Sequence, residues 1–135
     1  MKKQDLYYTA GIIDGEGSVL LSRIHTGKTR SPVISVSSTT YDILLYLKET
    51  FGGSISKHKV YKEHHKQSWS WKICYNKALE FCNDIYPYLK EPIKRKRAKL
   101  ITEKYKDCTP RNGKYTNNLI KLKEEFEQQF FDIVE

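Results

Sequence analysis

The chain has 135 residues, 39% hydrophobic and 13% aromatic, which is enough to bury one core and favours a folded globule over a disordered chain, so one domain is expected over 1–135. No apolar run is long enough to span a bilayer and MKKQDLYYTAG lacks the apolar stretch of a secretion signal, so neither membrane residence nor export is expected. The net charge is +8, but residues from Glu124 onward hold five acids and no Lys or Arg, so 1–123 carry +13 and nucleic acid is the expected partner.

In chain order, Asp5–Asp14 predicts a helix, N-capped by Asp5 and closed by glycines. Ser18–Ile24 and Pro32–Ser38 predict strands, joined as a hairpin by the polar, basic turn HTGKTRS. Tyr41–Phe51 has helical apolar spacing at Ile43, Leu44, Leu47 and Phe51, and Gly52-Gly53 stop it. Ser54–Tyr61 and Gln67–Tyr75 predict a second hairpin around KEHHK. Lys77–Tyr86 is a short helix ended by Pro87, and Ile93–Lys106 is a very basic one. Asn117–Ile133 is a last helix with Leu119, Leu122, Phe126, Phe130 and Ile133 on one face. The order α-ββ-α-ββ-α-α-α predicts an α+β fold, an antiparallel sheet covered by helices on one side.

The sheet's other face carries the functional signal. Trp69, Trp71, Ile73 and Tyr75 alternate with Ser68, Ser70, Lys72 and Cys74, and Ile34 and Val36 alternate with Val33, Ser35 and Ser37. The apolar set belongs under the helices. The opposite face is small, hydroxyl-bearing or basic, and the hairpin tips add His25, Lys28, Arg30, Lys62, His64, His65 and Lys66. Such a face suits the major groove of double-stranded DNA, where a β-ribbon fits and hydroxyls reach base edges; plain solvated surface is the alternative. Leu20 shares the polar face and Arg23 falls on the apolar one, which a bulge or a frayed strand end explains.

The stretch TAGIIDGEG, Thr9–Gly17, places Ala10, Gly11 and Asp14 at helical three- and four-residue spacing. Gly inside a helix costs about 1 kcal/mol against Ala, and close approach of a second helix is a reason to bear it. Gly15 and Gly17 let the chain turn into a strand and leave Glu16 at the helix end. In a two-fold dimer the two copies of Glu16 meet near the axis, where a divalent cation relieves their repulsion. A Gly-rich turn with a capping Asp and a surface Glu is the bland alternative.

This stretch resembles the signature of the LAGLIDADG homing endonucleases. Ala10, Gly11, Ile13, Asp14 and Gly17 match letter for letter, Thr9 and Ile12 replace Leu, Gly15 replaces Ala, and Glu16 stands at the final Asp. The predicted αββαββα order is similar to that family's fold, with a four-stranded DNA-binding sheet and added C-terminal helices. YPYLKEPIKRKRAKL, Tyr86–Leu100, resembles the segment that leads to the family's active-site lysine, with Lys94 the matching position, and PRNGKYT resembles a loop of the single-motif members.

The resemblance implies a homodimer of one-motif chains with Ala10, Gly11 and Asp14 at the interface, Asp14 capping or packing there. It implies Mg2+ (or Mn2+) on Glu16 and the Gly15 carbonyl, and no small-molecule cofactor. Lys94 would act on the phosphate or on the attacking water, Ser38 would stand in for a longer water-ordering side chain, and Arg95 and Arg97 would clamp the DNA backbone. Ser18, Ser22, Lys28, Arg30, Ser35, Ser37, Ser56, His58, Ser68, Ser70 and Lys72 would contact DNA. The implied reaction is a double-strand cut with short 3′ overhangs at a long, near-palindromic site. The alternative is a catalytically silent DNA-binding regulator or an intron maturase of the same fold. A zinc module on His58, His64, His65 and the cysteines lacks paired ligand spacing. Three cysteines, Cys74, Cys82 and Cys108, fit a reducing intracellular setting of open compartment.

Overall fold

The computed structural model describes residues 2–23, 29–60, 62–63 and 66–134. The elements are α1 (Lys3–Glu16), β1 (Gly17–Ser22), β2 (Ser31–Ser38), α2 (Tyr41–Phe51), β3 (Ser54–Lys57), β4 (Trp69–Cys74), α3 (Tyr75–Ile85), α4 (Pro92–Lys104) and α5 (Asn117–Phe131). Short 3₁₀ turns occupy Tyr86–Tyr88 and Lys106–Cys108. Lys28, expected at DNA, and the tip histidines His25, His64 and His65 lie outside the described residues. Among the described residues no helix is long and apolar enough to cross a membrane.

The four strands form one antiparallel sheet in the order β1-β2-β4-β3. The register pairs Val19 with Ile34, Ile34 with Ile73, Val36 with Trp71 and Ile55 with Trp71, so one face is apolar throughout. Val19, Ile34, Val36, Trp71 and Ile73 are buried on that face, together with Ile13, Leu44, Leu47, Phe81 and Ile85 of α1, α2 and α3. Trp71 is fully buried, packs its ring against Phe51 and Phe81, and donates its indole N–H to the Gly52 carbonyl at 2.8 Å. Gly53 follows at φ 92°, where a Cβ would also run into the Lys72 backbone and the Ile73 side chain. Only glycine closes α2 so tightly onto β4.

Several boundaries differ from expectation, each for a visible reason. β1 stops at Ser22, so Arg23 has left the sheet and puts no charge under the helices, while Leu20 stays on the open face. β4 stops at Cys74; Tyr75, at φ 53°, opens α3 and is 41% exposed instead of joining the core face. α1 begins at Lys3, so Asp5 is not its N-cap. The Asp5 carboxylate accepts from the Lys2 amide at 3.3 Å and from the Tyr46 hydroxyl at 2.6 Å, which ties α1 to α2.

On α5 the buried face is Lys123, Phe126, Glu127 and Phe130, and Leu122 is 48% exposed, contrary to the apolar-face expectation. Lys123 is buried because its ammonium lies 3.9 Å from the centre of the Tyr105 ring, with Tyr115 and Phe126 at 5.8 Å, and donates to Thr109 Oγ1. Aromatic faces and a hydroxyl replace the water that a buried cation loses.

The Tyr46 hydroxyl, and after it the Lys2 amide, hold the Asp5 carboxyl below its ordinary 3.8. A depressed acid stabilises the fold above its unfolded pKa, and that gain is lost as pH falls through the lowered value. Tyr46→Phe is expected to raise the Asp5 midpoint toward 3.8 in an NMR titration; an unmoved midpoint would contradict the bridge.

Candidate nucleic-acid interface and cleavage centre

The end of α1 meets the start of α4 through two reciprocal contacts. Asp14 Oδ1 accepts from the Lys90 amide at 3.1 Å and the Glu91 amide at 2.9 Å, and Oδ2 accepts from Lys90 at 3.1 Å. Lys94 Nζ donates to the Ile13 and Asp14 carbonyls, both at 2.9 Å. Glu91 caps α4 by accepting from the Lys94 amide at 2.6 Å, and Pro92 occupies the first helical position, where no N–H is needed. Carboxylates thus sit at the amide end of α4 and an ammonium at the carbonyl end of α1, as the helix dipoles favour.

Of the two roles expected of Asp14, capping or packing, the structure has its carboxylate capping backbone amides of its own chain. Ala10 is 3% exposed and turned into the core, so it does not share the outward face with Gly11. That outward face holds Gln4, Tyr7, Tyr8, Gly11 and Gly15.

The three glycines of the motif have different reasons. At Gly17 a Cβ would lie 2.8 Å from Ile13 Cα, so glycine is required where β1 leaves the helix. At Gly11 and Gly15 a Cβ would meet nothing within 4 Å. Among the described residues nothing packs where a side chain at those two helical positions would begin.

An α-helix leaves its last four carbonyls without intrahelical partners. The Ile13 carbonyl accepts from the Gly17 amide as well as from Lys94, and the Asp14 carbonyl accepts from Lys94; the Gly15 carbonyl lies next in the chain, beside Glu16, which is exposed. A carboxylate and a carbonyl are hard oxygen donors of the kind Mg2+ and Mn2+ accept. Among the described residues no three His, Cys, Asp or Glu side chains form a metal cluster. Glu16 and Gly15 thus offer two oxygen donors of a kind that would suit part of a cation's shell.

Ser38 lies at the same end of the β1–β2 pair, two residues beyond the partner of Gly17. Its Oγ accepts from the Thr40 amide at 2.9 Å and closes the turn into α2, so its oxygen is already used locally.

The open sheet face is laid out in cross-strand rows. Ser18, Ser35, Lys72 and Ser54 form one, and Ser37, Ser70 and Ser56 the next; Leu20, Val33 and Cys74 form an apolar row on the other side. Ser18, Ser37, Ser56 and Lys72 are exposed, and Ser22, Ser35 and Ser68 half-buried. Ser70 is 6% exposed, with its hydroxyl 2.7 Å from Ser37 Oγ and 2.5 Å from His58 Nε2. His58 Nδ1 lies 2.7 Å from Ser68 Oγ. Ser70 and His58 were both expected at DNA; the structure engages Ser70 and both ring nitrogens within the sheet instead.

The basic residues divide similarly. Arg95 is exposed on α4. Arg97 is turned toward α5: its guanidinium lies over the Phe130 ring at 5.1 Å and donates to the Ile133 carbonyl at 3.1 Å, contacts that engage within the chain a residue expected to clamp DNA. Arg30, also expected at DNA, bonds Glu127 at 2.8 Å and lies over Phe131 at 4.8 Å. Sequence reasoning missed the Lys90–Glu91 amide pair, although Glu-Pro before a helical run signals an N-cap. It also missed Lys123, whose charge hid its place on the buried face.

Neither protein-family models nor curated proteins match the sequence. Solved structures do. The homing endonuclease I-CvuI, in complex with an uncleaved DNA target in 2 mM Mg, superposes with TM-score 0.74 over 98% of this chain and 83% of its own, at 16% identity. The archaeal intron-encoded homing endonuclease I-Vdi141I, complexed with DNA, gives TM-score 0.72 over 100% and 87%, at 18% identity. The chain has the LAGLIDADG homing-endonuclease fold. The LAGLIDADG homing endonuclease I-GzeII, in complex with its DNA target, gives TM-score 0.62 at 15% identity over 95% of this chain but only 43% of its own. At these identities the likeness is one of fold.

Asp14→Ala removes the acceptor for two amides at the start of α4. Loss of such a cap is expected to cost about 1–2 kcal/mol, read as a lowered urea midpoint; unchanged stability would show that the α1–α4 clamp does not hold.

Proposed function

We propose that the chain is a site-specific DNA endonuclease that acts as a homodimer of one-domain subunits. In this reading it cuts both strands of a long, near-palindromic site with Mg2+ or Mn2+, leaving short 3′ overhangs. One observation carries the reading: an open sheet face of hydroxyls and Lys72 stands beside a helix end that offers the Glu16 carboxylate and the Gly15 carbonyl. DNA in the complexes of I-CvuI and I-Vdi141I supports duplex DNA as the substrate. I-CvuI was also studied with its target in 2 mM Ca, which supports a divalent cation at the cleavage centre. I-GzeII, of which this chain spans 43%, has length for two such units, which supports two copies of this shorter chain.

In the dimer, the outward stripe of α1 at Gly11 and Gly15 would meet its symmetry mate. The missing side chains let the two backbones approach and bring the two Glu16 carboxylates together. A cation held by Glu16 and the Gly15 carbonyl would supply an activated water and charge relief at the phosphate. Lys94 holds the end of α1 and so positions Glu16. Its ammonium has three N–H donors, of which two are used on carbonyls, leaving one for a phosphate oxygen. Arg95 is placed on the same helix to contact the DNA backbone, and Ser18, Ser35, Ser37, Ser56 and Lys72 to contact bases.

A second reading has its own observation. Lys94 and Ser38, the two residues expected to assist chemistry, both serve their own backbone, as suits a silent DNA-binding regulator or maturase of the same fold.

Glu16→Gln separates the two. Plasmid cleavage should fall by at least about 100-fold, the scale of losing one transition-state contact, while duplex binding is retained. Full activity in this variant would sink the metal assignment, and binding without cleavage by the unaltered chain would favour the silent regulator. Gly11→Leu tests the assembly. Its side chain has open space in the monomer, and Leu gains about 1 kcal/mol of helix propensity over Gly, so the fold should stand while sedimentation reports monomers. An intact dimer would contradict the close helix contact.

A further inference from the structure

Three hydroxyls of the open face are joined through one imidazole into a continuous chain. Ser37 Oγ meets Ser70 Oγ at 2.7 Å, Ser70 Oγ meets His58 Nε2 at 2.5 Å, and His58 Nδ1 meets Ser68 Oγ at 2.7 Å. The ring is braced by its own backbone: the His58 amide donates to the Ser68 carbonyl at 3.0 Å, and the Gln67 amide group donates to the His58 carbonyl at 2.7 Å. Ser70 is buried, so its hydrogen is spent within the chain, on Ser37 or on His58. Ser37 is exposed and Ser68 half-buried at the two ends.

A neutral imidazole has one N–H and one bare nitrogen. With the proton on Nε2, the ring donates to Ser70 and Ser70 donates to Ser37, whose own hydrogen is left to point outward. Nδ1 then accepts from Ser68, which offers only lone pairs. With the proton on Nδ1 every bond reverses. The ring donates to Ser68 and frees its hydrogen, Ser70 donates to the ring, Ser37 donates to Ser70, and Ser37 offers only lone pairs.

We infer that His58 is a positioning residue whose single ring proton sets Ser37 and Ser68 to opposite hydrogen-bonding characters, so that the two serines read DNA jointly and not independently. This rests on the proposed reading of the sheet face as the DNA interface. In the major groove a donor hydroxyl meets guanine O6 or N7, adenine N7 or thymine O4, and an acceptor hydroxyl meets the amino group of adenine or cytosine. A base acceptor opposite one serine therefore commits the other serine to a base amino group. His58 touches no base; it acts through the serines.

The test is selection of bound duplexes from a pool with a randomised site, using the full chain with calcium present, followed by sequencing. Ser37→Ala and Ser68→Ala each relax one base preference and so locate the two positions. In the unaltered chain, the complementary pairs at those positions should exceed the product of the single-position frequencies by about fivefold, the factor one neutral hydrogen bond carries. His58→Ala, and Ser70→Ala, which breaks the relay but keeps the ring, should bind DNA and lose this covariation. Independent preferences in the unaltered chain, or covariation that survives both variants, would overturn the inference. If no duplex is selected at all, the DNA reading itself fails, and the 15N spectrum of the His58 ring in the free protein decides the relay alone. A tautomer ratio that shifts in Ser68→Ala supports it, and a ring indifferent to that change overturns it.

Discussion

The structure depends on one reciprocal contact between two helix ends. A helix leaves bare carbonyls at one terminus and bare amides at the other, and burying them unpaired is costly. Here the end of α1 and the segment leading into α4 brace each other: Asp14 accepts the Lys90 and Glu91 amides just ahead of α4, Glu91 caps α4 itself, and Lys94 donates to the Ile13 and Asp14 carbonyls at the end of α1. All three side chains act on backbone, so the clamp fixes the helices themselves. Glu16 is the next side chain along and is exposed, with little around it to hold it. Its position is inherited from the clamp, which is why a lysine can matter to the centre without acting on substrate as its first task.

The sheet supplies the second constraint. Strand register decides which side chains stand in a row, and here it gathers hydroxyls and Lys72 into two adjacent rows bordered by Leu20, Val33 and Cys74. Small side chains keep the face low, so a duplex can approach the backbone closely. The cost is adaptability, since Ser70 and His58 are held by neighbours and cannot swing to meet a base. On the proposed reading of this face, readout would fall to the exposed members of the rows, with the buried members setting which way their hydrogens point.

Much of this was legible in the sequence. α2 matched residue for residue, because Leu44 and Leu47 mark its buried face and two glycines end it. The alternation around Trp71 gave the faces of β4. The failures concern charged side chains with apolar stems. On α4, Lys94, Arg97, Ala98 and Ile101 lie at helical spacing on the inward side, yet a basic run reads as uniformly solvated. On α5, Lys123 and Glu127 occupy the stripe given to Leu122. Periodicity held in both helices, but polarity misassigned the face, because long cationic stems bury while their heads find rings or carbonyls. The motif showed the opposite limit: Ala10 and Gly11 look equivalent as small residues, and only the packing of Ile13 and Ala10 into the core separates inward from outward.

That division of cations changes how the net charge should be read. The +13 over residues 1–123 counts every Lys and Arg, but α5 withdraws three of them. Arg30 is paired with Glu127, Arg97 is stacked on Phe130, and Lys123 is enclosed by Tyr105, Tyr115 and Phe126. Lys72 on the sheet and Arg95, Lys96 and Lys99 on α4 stay exposed, while Glu124 and Glu125 on α5 and Asp132 just beyond its end are exposed. The surface field is therefore polarised, and the acidic helix that looked in sequence like a mere counterweight is where inward-turned cations are neutralised or shielded. On the proposed reading, a face of neutral hydroxyls beside a few lysines and arginines would let phosphate attraction bring DNA in while base-edge hydrogen bonds choose among sequences.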